Sequence, residues 1–167
     1  MAVFPIRTFP DPVLRMPARA VAVVDDEVRR LIDDMIETMY AAPGVGLAAP
    51  QIGVGLRVVV FDAGEGAQAL VNPVLEDSNG SWVYEEGCLS VPEHYWPIKR
   101  SSFARASGLD RQGRAVVFAG EELLGRVLQH EIDHIEGVLL LSRLPRRTRR
   151  EALRELREEA LQAQGPR

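Results

Sequence analysis

The stretch from Glu121 to Glu136 constrains this chain more than any other, because its apolar residues recur at helical spacing and Gly137 stands where such a helix would stop. Within it lies His130-Glu131-Ile132-Asp133-His134. Residues four apart share one helix face, with Cβ atoms about 5–6 Å apart, so both imidazoles can reach a single cation. Leu123 and Val127 precede the histidines on that face, with Leu124, Leu128 and Ile135 alongside. So apolar a face is a buried one, and it turns the imidazoles toward the core. The rest of the chain must therefore enclose this helix and satisfy two inward histidines, with a metal or with hydrogen bonds. Glu131 sits beside them, placed to handle the proton of a metal-activated water.

Two imidazoles are too few for a catalytic ion, which takes three protein ligands and keeps a position for water. The single cysteine, Cys88, is the candidate third ligand; it lies in Glu86-Gly87-Cys88-Leu89-Ser90-Val91-Pro92, at the end of an expected strand and beside a glycine. Taken alone, a lone cysteine such as Cys88 is more often a small buried hydrophobe. A lone cysteine excludes an internal disulfide framework and fits a reducing cytosol.

The remaining sequence reads as one α+β domain over residues 1–167. Residues 1–20 carry Pro5, Pro10, Pro12 and Pro17 and are expected to form an extended arm. An N-terminal helix starts at an Asp25 or Asp26 cap, repeats Val28, Leu31, Ile32, Met35, Ile36 and Met39 through Tyr40, and ends at Pro43-Gly44. Strands are expected at Arg57–Phe61, Ala69–Leu75, Ser81–Glu85, Phe103–Leu109 and Ala115–Phe118, with turns at Asp77–Gly80 and Asp110–Gly113 and a short strand at Val138–Leu141. Residues 146–164 read as a charged C-terminal helix with Leu153, Leu156 and Leu161 on one side. The formal net charge of −4 gives no general attraction to DNA or membrane, no apolar run approaches the ~20 residues of a membrane span, and the N-terminus lacks secretory character. A cytoplasmic protein is expected. Arg143, Arg146, Arg147, Arg149, Arg150, Arg154 and Arg157 read either as a solvated face braced by Glu151, Glu155 and Glu158, or as a transient contact with ribosomal RNA.

Two further segments complete a pattern. Gly44-Val45-Gly46-Leu47-Ala48-Ala49-Pro50-Gln51 has approachable backbone at its glycines, with which an extended peptide can pair as an added strand. Neither a dinucleotide fingerprint nor a P-loop lysine follows it. With Glu86-Gly87-Cys88-Leu89-Ser90 and His130-Glu131-Ile132-Asp133-His134, this loop makes the chain resemble the peptide deformylases, and Pro10-Asp11-Pro12-Val13-Leu14-Arg15 looks like that family's arm. The resemblance runs from about Phe4 to Leu144.

The resemblance implies mixed and antiparallel sheets around a central helix bearing the two histidines. It implies that Cys88, His130 and His134 bind one divalent ion, Fe(II), with zinc, nickel or cobalt able to take its place; the donor types alone suit zinc. The implied reaction removes the N-formyl group from the N-terminal methionine of newly made polypeptides. Metal-bound hydroxide attacks the formyl carbon and Glu131 acts as general acid and base. The Gln51 side chain and the Leu89 backbone N–H stabilise the oxyanion, and Val45 and Gly46 hold the substrate backbone. Without the resemblance Gln51 reads as a surface loop residue. Val45, Leu89, Leu123 and Val127 are candidates for the methionine pocket, and Arg100 is the expected ionic partner of Asp133, within ~4 Å. Glu93-His94-Tyr95-Trp96 stands where many relatives carry a basic residue, and Pro43 where some carry an acidic one. Two other readings remain: a zinc endopeptidase that recruits Glu151 as third ligand, and a non-catalytic binding protein with a closed structural metal.

Overall fold

The computed structural model describes residues 2–165; Met1, Pro166 and Arg167, included in the expected 1–167 domain, lie outside the described residues, as does the first residue of the expected 1–20 arm. The arm is irregular, with one 3₁₀ turn at Pro12–Arg15. There the Asp11 carboxylate accepts from the Val13 N–H at 3.0 Å, and Leu14 is buried.

Helix α1 (Asp26–Ala41) begins as its sequence dictates: the Asp25 side chain accepts from the N–H groups of Glu27 and Val28, satisfying two of the orphan donors of the first turn. Strands β1 (Gly46–Ala48), β2 (Val58–Phe61), β3 (Gln68–Asn79), β4 (Trp82–Cys88), β5 (Val91–Arg100), β6 (Phe103–Leu109) and β7 (Ala115–Glu121) follow, then α2 (Glu122–Ile135) and α3 (Arg146–Ala163). Five strands form one sheet in the order β1-β2-β3-β6-β7, and β4 and β5 form a separate hairpin. Every pairing between these strands is antiparallel; the parallel contact among the described residues is an isolated bridge between Arg19 and Leu56.

The side-chain alternation of a strand explains how two helices use one sheet. Val58 and Val60 of β2 point to one face, where they pack with Ile32, Met35 and Met39 of α1. Val59 and Phe61 point to the other, where they meet Val127, Leu128, Ile132 and Ile135 of α2. All four residues of β2 are therefore buried. A third cluster joins Val91 and Ile98 of β5 to Leu140, Leu141, Leu144 and Ala152, which seats the start of α3 on the hairpin. Helix α2 stops at Gly137, whose φ of +76° is the left-handed conformation that glycine adopts without strain. A Cβ there would also lie 2.6 Å from the Arg15 carbonyl oxygen, so the arm itself excludes a side chain.

Several expectations need correction. Val138–Leu141 is not a strand: a 3₁₀ turn occupies Leu140–Arg143, and its leucines are buried by packing under β5 rather than by a ladder. The Asp77–Gly80 turn is shorter than expected, because β3 runs on to Asn79 and reverses at Gly80, where φ is +72°. Strand β5 carries no clear sequence signal because Pro92 and Pro97 interrupt it; among the described residues it pairs only with β4, and an edge strand tolerates proline on its open side. Leu161 is 64% exposed and contributes nothing to the packed side of α3. No helix among the described residues is long and apolar enough to cross a membrane.

Candidate metal centre

Two elements that are distant in sequence build the site. Strand β4 ends in Cys88, and α2 supplies His130 and His134. Cys88 Sγ lies 3.3 Å from His134 Nε2, which lies 3.1 Å from His130 Nε2. All three ligand atoms fall within 4.8 Å of one another. His130 turns its other nitrogen, Nδ1, to the Glu86 carboxylate; a proton held there leaves Nε2 with a free lone pair. A soft sulfur and two imidazole nitrogens with converging lone pairs are a donor set for a borderline divalent metal, and this arrangement fits one. His134 Nδ1 is buried with no partner among the described residues.

The charges around the centre favour a cation. Burial pushes His130 down, but the neighbouring Cys88 and Glu86 groups override it and hold its pKa well above the usual value: the potential at this corner is negative. Burial and the adjacent His130 push His134 well below its ordinary value, which keeps that ring neutral and able to ligate. For Glu86 burial acts upward, yet hydrogen bonds from Arg100 and His130 prevail and hold the carboxyl far below its usual range. Arg100 grips Glu86 with two nitrogens at 2.8 and 2.7 Å and reaches Asp133 at 2.9 Å, so the expected Arg100–Asp133 pair is present. Arg126 adds a 2.6 Å contact to Glu86, and Arg143 donates to both oxygens of Asp133.

Glu131 is 4% exposed, and burial raises its carboxyl to about 7. It packs against Gly46, where a Cβ would overlap the carboxylate. Contact with Glu131 therefore excludes a side chain at Gly46. Gln51 is 1% exposed rather than a surface loop residue. It lies in a 3₁₀ turn, Ala49–Ile52, and its Oε1 accepts from the Ala48 N–H at 2.8 Å. That bond orients the amide so that Nε2 donates to Ser90 Oγ at 3.1 Å and points at Cys88 Sγ, 3.7 Å away.

A cleft of about 360 Å³ gathers Val45, Gly46, Gln51, Cys88, Leu89, Leu123, Val127, His130 and Glu131, with His134 buried behind. Strand β1 is the edge of its sheet on this side. The Asp62 N–H donates to the Val45 carbonyl, so by the antiparallel alternation Gly46 turns its N–H and C=O away from β2. Pro43 and the residues from Glu93 to Tyr95 also line the cleft. Glu151 takes no part: it lies on α3, half exposed and paired with Arg147.

Glu86 and Arg126, which brace His130, and Ser90, which holds the Gln51 amide, carry no role in the sequence reading. Arg126 precedes His130 by one helical turn and was open to the same spacing argument. Glu86 was quoted as part of a motif, but its contact with His130 spans 44 positions and leaves no local signal.

Comparison with known proteins identifies the family of the chain. The family model for polypeptide deformylase matches residues 3–150. A peptide deformylase of Acidothermus cellulolyticus is 52% identical over 158 residues, covering 95% of this chain and 88% of the relative. Among solved structures, a peptide deformylase from Legionella pneumophila superposes with a TM-score of 0.89 at 43% identity, covering 99% of this chain and 100% of the other. One from Ehrlichia chaffeensis, in complex with actinonin, gives a TM-score of 0.90 at 36% identity over 95% of this chain and 98% of the other. From Val3 to beyond the second histidine, then, this chain is a member of the polypeptide deformylase family.

Proposed function

We propose that this protein hydrolyses the N-formyl group of formyl-methionyl nascent peptides, releasing formate and a free N-terminal amine. The observation that carries the reading is the convergence of Cys88, His130 and His134 beside a buried Glu131 and an oriented Gln51 in one cleft. In this reading α2 is the central helix of the fold and Cys88, His130 and His134 are the metal ligands. A divalent ion held by them supplies Lewis acidity, making water acidic enough to attack near neutral pH. The donor set suits zinc, and the family resemblance favours Fe(II), with nickel or cobalt as substitutes.

The protein's own groups do the rest. Glu131, with its pKa raised to about 7, takes the proton of the attacking water and returns it to the departing nitrogen. The Gln51 amide and the Leu89 backbone N–H donate to the oxygen that becomes negative as water adds to the carbonyl. Gly46 offers its outward N–H and C=O to the peptide backbone, and the exposed Val45 side chain lines the entrance. Leu89, Leu123 and Val127 give the methionine side chain an apolar wall. The endopeptidase reading is not favoured, since Glu151 is remote and the Gln51 and Cys88 segments would have no task.

We place this activity in the cytoplasm, where nascent chains emerge, and propose that exposed arginines of α3 touch the ribosome transiently. Metal analysis and a deformylation assay on one anaerobically purified sample test the main reading. It requires a stoichiometric divalent ion and formate release from formyl-Met-Ala. Cleavage of an internal peptide bond instead would return the endopeptidase.

A further inference from the structure

A second cavity, of about 410 Å³, lies between the end of β3, the turn into β4, the end of β5 and another face of α2. It shares no lining residue with the cleft at the metal centre. Its charged lining is Lys99, Arg100 and Arg143 against Asp133; Arg100 is also paired with the buried Glu86, which leaves one positive charge in excess. That excess stands out on a chain whose formal net charge is −4.

The carboxylate is already occupied. Arg100 donates to Asp133 Oδ2 at 2.9 Å, and Arg143 donates to the same carboxylate through Nε and Nη2. Arg143 keeps Nη1 free of that contact, and exposed Lys99 forms no ion pair among the described residues. Ser78, Ser81 and Ser101 add three hydroxyl groups to the wall, and only Leu75 and Ile132 are large apolar members. A concave surface with an uncompensated cation focuses field onto an anion. Ammonium, guanidinium and hydroxyl donors together match the oxygens of a compact, multiply charged oxyanion. Neither an apolar ligand nor a cation finds a complementary wall here.

We propose that this cavity binds a small oxyanion of the phosphate class, free or as a monoester, through Lys99, Arg143 and the serine hydroxyls. The site does not depend on the reaction assigned to the metal centre. Arg143 also restrains Asp133, so Lys99 is the residue to change.

Isothermal titration of the full-length, metal-loaded protein with sodium phosphate, against sodium chloride of equal ionic strength, tests the site. Glycerol phosphate in a parallel titration separates the free ion from the monoester as the preferred form. Saturable binding of either is expected, weakened by at least about tenfold in Lys99→Glu, where a like charge faces the ligand. A smaller loss is expected in Lys99→Ala, and both variants should keep the wild-type circular dichroism and phosphate-free turnover. Absence of heat beyond the chloride control overturns the proposal. So does equal affinity in wild type and Lys99→Glu, which would locate the anion at the metal centre.

Discussion

Glu131 and Cys88 separate the two tasks of the site. Glu131 touches the loop at Gly46 and is not among the converging donor atoms, whereas Cys88 is. Glu131→Ala should therefore retain metal by elemental analysis and lose nearly all turnover, while Cys88→Ala should lose the metal itself; an active Glu131→Ala protein would rule out the proton-transfer role. Gln51 is held by Ala48 and Ser90, so its amide is oriented before any substrate arrives. Removing one oxyanion donor typically lowers turnover by about 10²–10³-fold, and Gln51→Ala should do so while also lowering the melting temperature, since the buried Ala48 N–H loses its partner. Cys88, His130, Glu131 and His134 were legible because chemistry-bearing residue types stand at helical spacing or beside a glycine. Glu86 was not, since what makes it important is a partner supplied by another element.

At the scale of elements, the buried ion network binds β4 to α2. Glu86 accepts from Arg100 and Arg126 and faces His130, all of them nearly inaccessible. Its folded pKa lies far below the ordinary glutamate value of 4.5, so the ionised form stabilises the fold above that value, and the contribution fades as acid titrates the folded carboxylate. Glu86→Gln should cost about 3–5 kcal/mol at neutral pH, as expected when one partner of a buried network is removed. In urea melts the gap to wild type should narrow under strongly acidic conditions; a constant gap would mean that charge is not the cause. Helices α1 and α2 were read from sequence almost to the residue, because each carries a clean apolar stripe and a cap or a stop. Strand β1 has three residues next to glycines, and β5 contains two prolines, so neither produced the alternation that marks a strand. Met35, fully buried between α1 and β2, tests the first of these packings. Met35→Ala should lower unfolding free energy by about 2–5 kcal/mol while leaving metal content unchanged.

For the molecule as a whole, the five-stranded sheet carries α1 on one face and α2 with the candidate centre on the other. The sequence indicated a single α+β unit with mixed or antiparallel sheets, and the strand order and edge position of β1 came only from the three-dimensional arrangement. Those features depend on contacts between distant segments, which local propensity does not encode. The chain nevertheless reaches them through one short run, Val58 to Phe61, that faces both layers. Neither layer can dissolve while that run stays shielded, so its amide protons should exchange with deuterium only when the entire fold opens. In a native-state exchange experiment they should rank among the slowest in the protein, with the same denaturant dependence as global unfolding. Emptying the metal centre with a chelator should then quicken their exchange, although none of them touches the ion.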